Sequence, residues 1–287
     1  MKLKDLFKDG RQVFTFEVFP PKKDGNIETI YKALDGLQDL KPDFISVTYG
    51  AGGNLADSST ADIAADIKHK YGIESAAHLT CVNNSRDDID TILAHLHEKG
   101  VENILALRGD VRPDRPPKED FRYASELISH IRAHGGFGIS AACYPEGHPA
   151  SATMDADIDH LKYKVDCGAE HLVSQLFFDN AYFYNFLDKA RAKGINTPIE
   201  AGIMPVTNKK QIERMVTMCG ASLPPKFAKM MQRYEAKPEA LRDAGIAYAV
   251  DQIVDLMSQG VDGIHLYTMN NPYIARKISE SIASLRG

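Results

Sequence analysis

Polar side chains that could transfer a proton stand at the ends of several short apolar runs. Glu17 lies near the end of the run Val13–Phe19, directly before two prolines. Because side chains alternate along a strand, Glu17 and Thr15 share one face and the apolar residues occupy the other. If the apolar face packs on helices, Glu17 points to the opposite side, where partial loss of hydration favours a protonated carboxyl group. Such a group can act as a general acid, or it can be a glutamate paired with a cation.

Further candidates follow the other apolar runs. Arg108, Gly109 and Asp110 place a guanidinium beside a carboxylate, with a glycine that lets a ligand approach the backbone. A mutual salt bridge would explain the same pair. His78 and His148 end two other runs, and a single histidine is more often a structural residue than a ligand. Ligand recognition is also expected of the polar groups that follow the sixth and last runs, namely Gln175, Tyr267, Asn270 and Asn271.

Sequence patterns that are absent from the chain argue against several kinds of binding site and reaction. The glycine-rich turn at residues 48–53 could offer backbone N–H groups to a phosphate, but it has neither the dinucleotide-binding nor the P-loop spacing. No inward lysine is expected at a strand end, which argues against Schiff-base chemistry. The histidines form no H-x-H or H-E-x-x-H pair, so a metal site would need ligands from separate strands.

The elements that must position these residues repeat regularly. Eight short β-branched or aromatic runs alternate with longer amphipathic stretches, and their first residues are 27 to 35 positions apart, except for 65 between the last two. This alternation is typical of βαβ units and predicts an α/β fold, a (β/α)8 TIM barrel, in which functional groups lie at the C-terminal ends of the strands. An open doubly wound sheet is the alternative. The predicted strands are Val13–Phe19, Phe44–Tyr49, Glu74–Thr80, Asn103–Leu107, Gly138–Cys143, His171–Leu176, Pro198–Ile203 and Gly263–Tyr267.

The long seventh interval predicts extra helices between strands 7 and 8. Apolar residues recur at helical spacing in Lys209–Cys219, Pro224–Tyr234 and Pro238–Ser258. The stretch Ile27–Leu40 likewise predicts a helix with one apolar stripe. No linker or low-complexity tract interrupts the pattern, so we expect a single catalytic barrel domain over residues 1–287.

The composition excludes several classes of partner. The chain has 287 residues, of which 44% are hydrophobic and 25% charged, and its formal net charge is −5. It therefore lacks the overall positive field that attracts nucleic acid. Four cysteines without a C-x-x-C pair fit a reducing compartment. The N-terminus lacks a secretory signal and no apolar run approaches the roughly 18 residues of a membrane span, so we expect a cytoplasmic protein without membrane contact.

Six motifs taken together resemble the bacterial methylenetetrahydrofolate reductases from about Val13 to Asn270. The resemblance implies a (β/α)8 flavoprotein of one-carbon metabolism and methionine biosynthesis. It would use NADH or NADPH to reduce 5,10-methylenetetrahydrofolate to 5-methyltetrahydrofolate, in two half-reactions at one FAD site. We also expect a homo-oligomer, without the C-terminal regulatory domain of eukaryotic relatives. The six motifs are Phe16–Pro21, Ser46–Gly50, His78–Cys81, Leu105–Asp110, Tyr144–Pro149 and Gln175–Asp179.

The resemblance also implies roles for individual residues. Glu17 would be the general acid that opens the folate ring, and Asp110 would hold the folate and tune the flavin. Gln175 would contact both substrates in turn, and Gln211 would bind folate. The residues that would bind FAD are Thr48, His78, Arg108, Gly109, Asp110, Tyr123, Ala124, Tyr144, His148, Asp157 and Lys164.

Four residues depart from the family pattern. Met215 stands where a well-studied branch has an aromatic residue over the ligand, and Asn271 stands where that branch has an arginine. His160 and Tyr163 replace polar or basic residues on the flavin side. We therefore expect the contacts to folate, to the nicotinamide and to the tail of FAD to differ in detail.

Two other functions stay open at this point. A metal-assisted barrel hydrolase could use Glu17, His78, Asp110 and His148 as ligands and bases. A non-catalytic flavin- or folate-binding protein would show flavin reduction without turnover. The resemblance favours the reductase over both.

Overall fold

The computed structural model describes residues 1–21, 25–49, 59–111 and 116–286, apart from the side chains of residues 210, 211 and 214. Eight parallel strands form a closed barrel in chain order, and the first strand pairs with the last. The predicted TIM barrel is therefore confirmed, and the open doubly wound sheet is wrong. The strands are β1 Val13–Val18, β2 Phe44–Val47, β3 Glu74–Thr80, β4 Asn103–Leu107, β5 Gly138–Cys143, β6 His171–Ser174, β7 Ile199–Ile203 and β8 Gly263–Tyr267.

Helices connect the strands and form the outer layer of the barrel. Short 3₁₀ helices at Leu3–Phe7, Gln38–Leu40 and Ala283–Leu285 supplement them. None of the helices in the described ranges is both long and apolar enough to cross a membrane. The α-helices are α1 Glu28–Asp35, α2 Ser59–His69, α3 Arg86–Glu98, α4 Ala124–His134, α5 Met154–Cys167, α6 Asn180–Ala192, α7 Lys209–Cys219, α8 Pro225–Tyr234, α9 Pro238–Ser258 and α10 Pro272–Ser281.

The main apolar core lies between the strands and the helix layer. The outward residues Phe16 and Val18 of β1 are fully buried there, together with Ile30 and Leu34 of α1. The inward residues are different, because Thr15 of β1 is equally buried but polar. The alternation along the strands therefore separates an apolar helix-facing layer from a partly polar barrel interior.

One predicted helix is interrupted. The stretch Ile27–Leu40 forms α1 only as far as Asp35, and a separate 3₁₀ turn follows. At Gly36 a Cβ atom would lie 2.7 Å from the Cβ of Pro272, which begins α10. Gly36 caps α1, so the helix ends earlier than its apolar stripe predicts, and the glycine leaves room for Pro272.

The three extra helices between β7 and β8 form as predicted. They bury a second apolar cluster with residues that follow β6 and β7, including Phe178 and Met204. Phe178 stacks on Phe227 of α8, with 4.6 Å between ring centroids. Because these residues follow strand C-termini, α7 to α9 support the barrel at that end.

Candidate active site

Glu17 lies inside the C-terminal mouth of the barrel, on the face that the alternation along β1 predicts. Its side chain is 19% exposed, and its Oε2 atom is 3.5 Å from Nε2 of His78 on β3 and 3.6 Å from Nε2 of His265 on β8. Contacts to strands on both sides show that the carboxyl group points across the interior. It therefore has a small opening to solvent and two imidazole neighbours.

Residues after β8 fix the backbone around Glu17. The Thr268 hydroxyl donates to the Glu17 carbonyl at 2.7 Å. Asn270 binds Phe19 twice, since its Nδ2 donates to the Phe19 carbonyl at 2.8 Å and its Oδ1 accepts from the Phe19 amide at 3.0 Å. Asn270 adopts this position with a left-handed backbone (φ 52°), which asparagine tolerates better than most residues. These bonds tie the end of β1 to β8.

The polar groups expected to recognise a ligand after β8 are therefore engaged within the protein. Besides Asn270, the Tyr267 hydroxyl donates to the Ser174 carbonyl at 2.7 Å. Asn271 caps α10, where its Oδ1 accepts from the Ile274 amide at 3.3 Å. Their expected role in ligand recognition stays a prediction, because these hydrogen bonds within the protein do not exclude contact with a ligand.

His78 is a neutral histidine at neutral pH. Burial lowers its pKa to about 4, and the neighbouring Glu17 only partly opposes this shift. Its Nε2 atom is buried and has no hydrogen-bond partner within the described part of the chain. A buried polar atom without a partner is rare and costly. At the mouth of a barrel it indicates a ligand that supplies the missing hydrogen bond.

The segment after β4 brings Arg108, Gly109 and Asp110 to the same rim. Gly109 has a left-handed backbone (φ +81°), and a Cβ atom there would lie 2.9 Å from the Cβ of Thr80. Asp110 is exposed. Among the described residues, Arg108 and Asp110 form no ion pair with each other, and the guanidinium donates to the Gly109 carbonyl at 3.3 Å instead. The alternative of a mutual salt bridge is therefore wrong.

Tyr144 and His148 follow β5 and pack edge to face, with 4.7 Å between ring centroids. Burial raises the pKa of Tyr144 to about 12 and lowers the pKa of His148. The Nδ1 atom of His148 accepts from the Ala150 amide at 3.0 Å, which leaves the proton of the neutral ring on Nε2. Both side chains therefore present neutral donors at neutral pH.

Asp157 and Lys164 lie seven residues apart on α5. The Ser151 hydroxyl donates to Asp157 Oδ1 at 2.8 Å, and Lys164 Nζ donates to the Ala142 carbonyl on β5 at 2.5 Å. Burial lowers the pKa of Lys164. The two side chains thus connect the first and last turns of α5 to β5 and the segment after it.

Four more predicted residues occupy the same end of the barrel. Thr48 follows β2 and is half-buried, and Gln175 follows β6 with its Oε1 accepting from the Leu176 amide at 2.9 Å. Tyr123 caps α4 with its side chain 62% exposed, and Ala124 begins that helix. The mouth therefore collects residues from β1 to β6.

The remaining candidates are less closely tied to the mouth. The side chain of Gln211 lies outside the described residues, although its backbone is part of α7. Met215 packs against the second apolar cluster. His160 and Tyr163 are exposed on α5.

Sequence reasoning missed two residues of the barrel interior. His265 and Glu200 are both completely buried, and a Thr15 hydroxyl lies between them. Period-two alternation in β8 could have placed His265 inward beside Tyr267. Nothing local to β7 predicts the contact of Glu200, because its partner Thr15 is 185 positions away.

The residues proposed for a metal-assisted hydrolase are not arranged as a metal site. In the ranges that the structure describes, no three histidine, cysteine, aspartate or glutamate side chains converge as metal ligands would. Glu17 and His78 are neighbours, whereas Asp110 and His148 belong to the other side of the mouth, after β4 and β5. The hydrolase alternative is not favoured.

Comparisons with known proteins agree with this arrangement. In structure, the chain is similar to an uncharacterised protein from Clostridium thermocellum that binds two copies of 5-methyl-5,6,7,8-tetrahydrofolic acid, with a TM-score of 0.69, 14% identity and 99% of each chain covered. At that identity the likeness concerns the fold.

Closer relatives are found by sequence. The chain is 38% identical to the 5,10-methylenetetrahydrofolate reductase of Pectobacterium carotovorum subsp. carotovorum and 36% identical to that of Escherichia coli (strain K12), covering 95% of this chain and 91% of each relative. It is 36% identical to methylenetetrahydrofolate reductase (NADH) 1 of Arabidopsis thaliana, over 94% of this chain and 48% of the relative. The family model of methylenetetrahydrofolate reductase matches residues 2–283. The chain belongs to the methylenetetrahydrofolate reductase family and is an oxidoreductase.

Proposed function

We propose that this protein reduces 5,10-methylenetetrahydrofolate to 5-methyltetrahydrofolate with electrons from NADH or NADPH, in two half-reactions at one FAD site in the barrel mouth. The observation that carries the proposal is the Glu17 carboxyl group, inside the mouth and beside two imidazoles. A folate substrate is supported by the names of the relatives, and a single barrel domain over residues 1–287 fits the uninterrupted alternation of strands and helices.

The mouth suits a flavin in several respects. The unpartnered Nε2 of His78 needs a hydrogen-bond partner, and Gly109 leaves the backbone after β4 open to close approach. The bound FAD would accept a hydride from the nicotinamide and pass it to the folate. The residues that would hold it are Thr48, His78, Arg108, Gly109, Asp110, Tyr123, Ala124, Tyr144, His148, Asp157 and Lys164.

Glu17 would act as the general acid on the folate. Its side chain is 19% exposed, so the carboxyl group can reach a substrate at the mouth. Protonation of a folate ring nitrogen breaks the ring and produces the electrophile that takes up the hydride. Proton donation matters only to the folate, so the first half-reaction does not need Glu17.

The other polar residues would position the substrates. Asp110 is exposed at the rim, where its carboxylate can hold the folate by hydrogen bonds. Gln175 has its side-chain oxygen fixed by the Leu176 amide, which defines the orientation of its amide group toward both substrates. Gln211, on α7, would bind the folate.

The substitution Glu17→Gln tests this function. It keeps the size of the side chain and removes the acid. Stopped-flow absorbance should show flavin reduction by NADH or NADPH within about twofold of wild type, whereas reoxidation by methylenetetrahydrofolate slows about 10²–10⁴-fold. An equal loss in both half-reactions would remove Glu17 from the role of acid. Glu213→Gln, on the exposed side of α7, is the control and should leave both rates unchanged.

A further inference from the structure

A row of polar side chains in the barrel interior connects Glu200 to Glu17. Thr15 Oγ1 lies 2.7 Å from Glu200 Oε1 and 2.7 Å from His265 Nδ1. His265 Nε2 lies 3.6 Å from Glu17 Oε2 and 3.4 Å from the hydroxyl of Ser46. Glu200, Thr15 and His265 are each completely buried. We refer to Glu200, Thr15, His265 and Glu17 as the buried relay.

The barrel has space for the Glu200 side chain because the paired residue on the neighbouring strand is a glycine. Gly263 on β8 is paired with Glu200, and a Cβ atom there would lie 3.1 Å from Glu200 Cγ and 2.7 Å from the Val13 carbonyl. A glycine at this position therefore accommodates the carboxyl group within a closely packed interior. Glu200 is built into the barrel rather than placed at its surface.

One oxygen of the buried Glu200 carboxyl group lacks a directed hydrogen bond in the described residues. Its Oε2 atom is 3.0 Å from Nε2 of His171, but neither atom has a hydrogen-bond partner in the described residues, so no ring N–H is directed at the oxygen. His171 binds Ser140 through its other nitrogen, at 2.9 Å. A buried carboxylate without a charged, well-directed donor is costly, whereas a carboxylic acid can donate its proton to Thr15.

We propose that Glu200 is a proton reserve for Glu17, acting through Thr15 and His265. This inference rests on the proposed function for the role of Glu17. Thr15 and a neutral imidazole can each donate on one side and accept on the other, so the hydrogen bonds of the buried relay can run in either direction. Reversing them moves one proton between the two carboxyl groups.

The transfer is balanced in every bond. The Glu200 O–H bond breaks as Thr15 Oγ1 gains a proton, and Thr15 passes its own proton to His265 Nδ1. The Nε2–H bond of His265 breaks and Glu17 Oε2 gains the proton. Glu200 becomes a carboxylate, Glu17 becomes an acid, the imidazole changes tautomer, and no electrons move. The last step needs the 3.6 Å gap to tighten, as catalytic contacts often do when substrate binds.

The buried relay would matter while a bound folate covers the mouth. If Glu17 is a carboxylate when the folate binds, its opening to solvent is closed, and transfer from Glu200 supplies the proton that Glu17 then donates to the folate. After the product leaves, Glu17 takes up a proton from solvent, and the buried relay returns it to Glu200.

The first test is kinetic and uses the flavin-loaded enzyme. Thr15→Val keeps the shape of the side chain and removes the hydroxyl that links Glu200 to His265. Reoxidation by methylenetetrahydrofolate should slow at least about tenfold, with flavin reduction by NADH unchanged, and Thr15→Ser should restore most of the rate. The control is Ser140→Ala, which alters the same interior on the far side of His171. A Thr15→Val enzyme that reoxidises like wild type would overturn the proposal.

The second test does not depend on turnover. Infrared difference spectra between wild type and Glu200→Gln at neutral pH should contain the C=O stretch of one protonated carboxyl group. Glu74→Gln is the control, because Glu74 is half-buried and is paired with Lys68 and the Met1 amine. If no such band is lost in Glu200→Gln, Glu200 is ionised and cannot be a proton reserve. A wild-type enzyme that fails to reduce folate would refute the proposed function, and this measurement would still decide the relay.

Discussion

Ionisable side chains have different surroundings at the two ends of the barrel. At the N-terminal end, Glu102 accepts from Lys68 and from the Met1 amine, and these cations hold its pKa at about 2. At the C-terminal mouth, Glu17 faces His78, which burial keeps neutral and whose Nε2 lacks a partner. The charge of Glu102 at one end is compensated within the protein, while His78 at the other end has a buried nitrogen without a partner in the described residues. The first arrangement stabilises the barrel, and the second marks the end at which we propose the chemistry takes place.

Among the substitutions that test this difference between the two ends, the largest loss of stability is expected at Gly109. Gly109→Val combines a left-handed backbone with a Cβ atom 2.9 Å from Thr80, so we expect a loss of about 2–5 kcal/mol in the free energy of unfolding. Bound flavin should fall in parallel, as measured by absorbance of the purified protein. Gly135→Val is the control at the opposite end, since Gly135 has φ +83° with no atom near its Cβ position. Equal loss of flavin in both variants would argue against a flavin contact at Gly109.

His78 should make the fold sensitive to acid. Its pKa of about 4 in the folded state lies below its ordinary 6.5, so the unfolded chain binds more protons between these values. Stability that is complete above pH 6.5 is therefore lost as the pH falls toward 4, by up to about 3 kcal/mol.

The measurement is denaturant unfolding of wild type and His78→Gln at pH 7.5 and pH 5. The wild-type protein should lose more stability between the two pH values than the variant does. His134→Gln, an exposed histidine at the other end of the barrel, serves as the control. Identical acid dependence in wild type and His78→Gln would show that folding leaves the pKa of His78 unchanged, against this account.

Asn270→Ala should weaken the seam between β1 and β8. It removes two hydrogen bonds to Phe19 and places alanine in a left-handed conformation, which together should cost about 1–2 kcal/mol. Because Phe19 follows Glu17 closely, folate-driven reoxidation should slow more than flavin reduction.

Asn103→Ala, at the N-terminal end, provides the comparison. Asn103 is buried and binds Leu3 and Met1, so its loss should reduce stability by a similar or larger amount. The ratio of the two half-reaction rates should nevertheless stay at the wild-type value. A changed ratio in Asn103→Ala would mean that the two ends are coupled.

The smallest effect is expected at Glu102. Its side chain is 46% exposed, so the ion pairs of this residue are screened by solvent. Glu102→Gln should lower stability by less than about 1 kcal/mol at pH 7 and leave both half-reactions unchanged. Chemical denaturation and stopped-flow absorbance on the same preparation would detect any departure.

Much of the barrel could be predicted because its pattern is local. The strands β3, β4, β5 and β8 have the predicted bounds, and β1, β2, β6 and β7 are one or two residues shorter at an end. Alternation along β1 also placed Glu17 inside. The predicted stretch Ile27–Leu40 ran past Gly36, the glycine that caps α1 and leaves room for Pro272.

The site was predicted less completely than the fold. Family motifs gave the residues at the strand ends, but the partners of Asn270 and Tyr267 come from elsewhere in the chain. The link from Glu200 through Thr15 to His265 spans three strands that are neighbours only in the closed barrel. Such contacts follow from tertiary structure and not from spacing.

The visible spectrum of the purified protein under anaerobic conditions tests the central claim most directly. We expect a yellow protein that bleaches when NADH or NADPH is titrated in, and that regains its colour when methylenetetrahydrofolate is added. A colourless protein that cannot be reconstituted with FAD, or a bleached flavin that the folate does not reoxidise, would contradict the account.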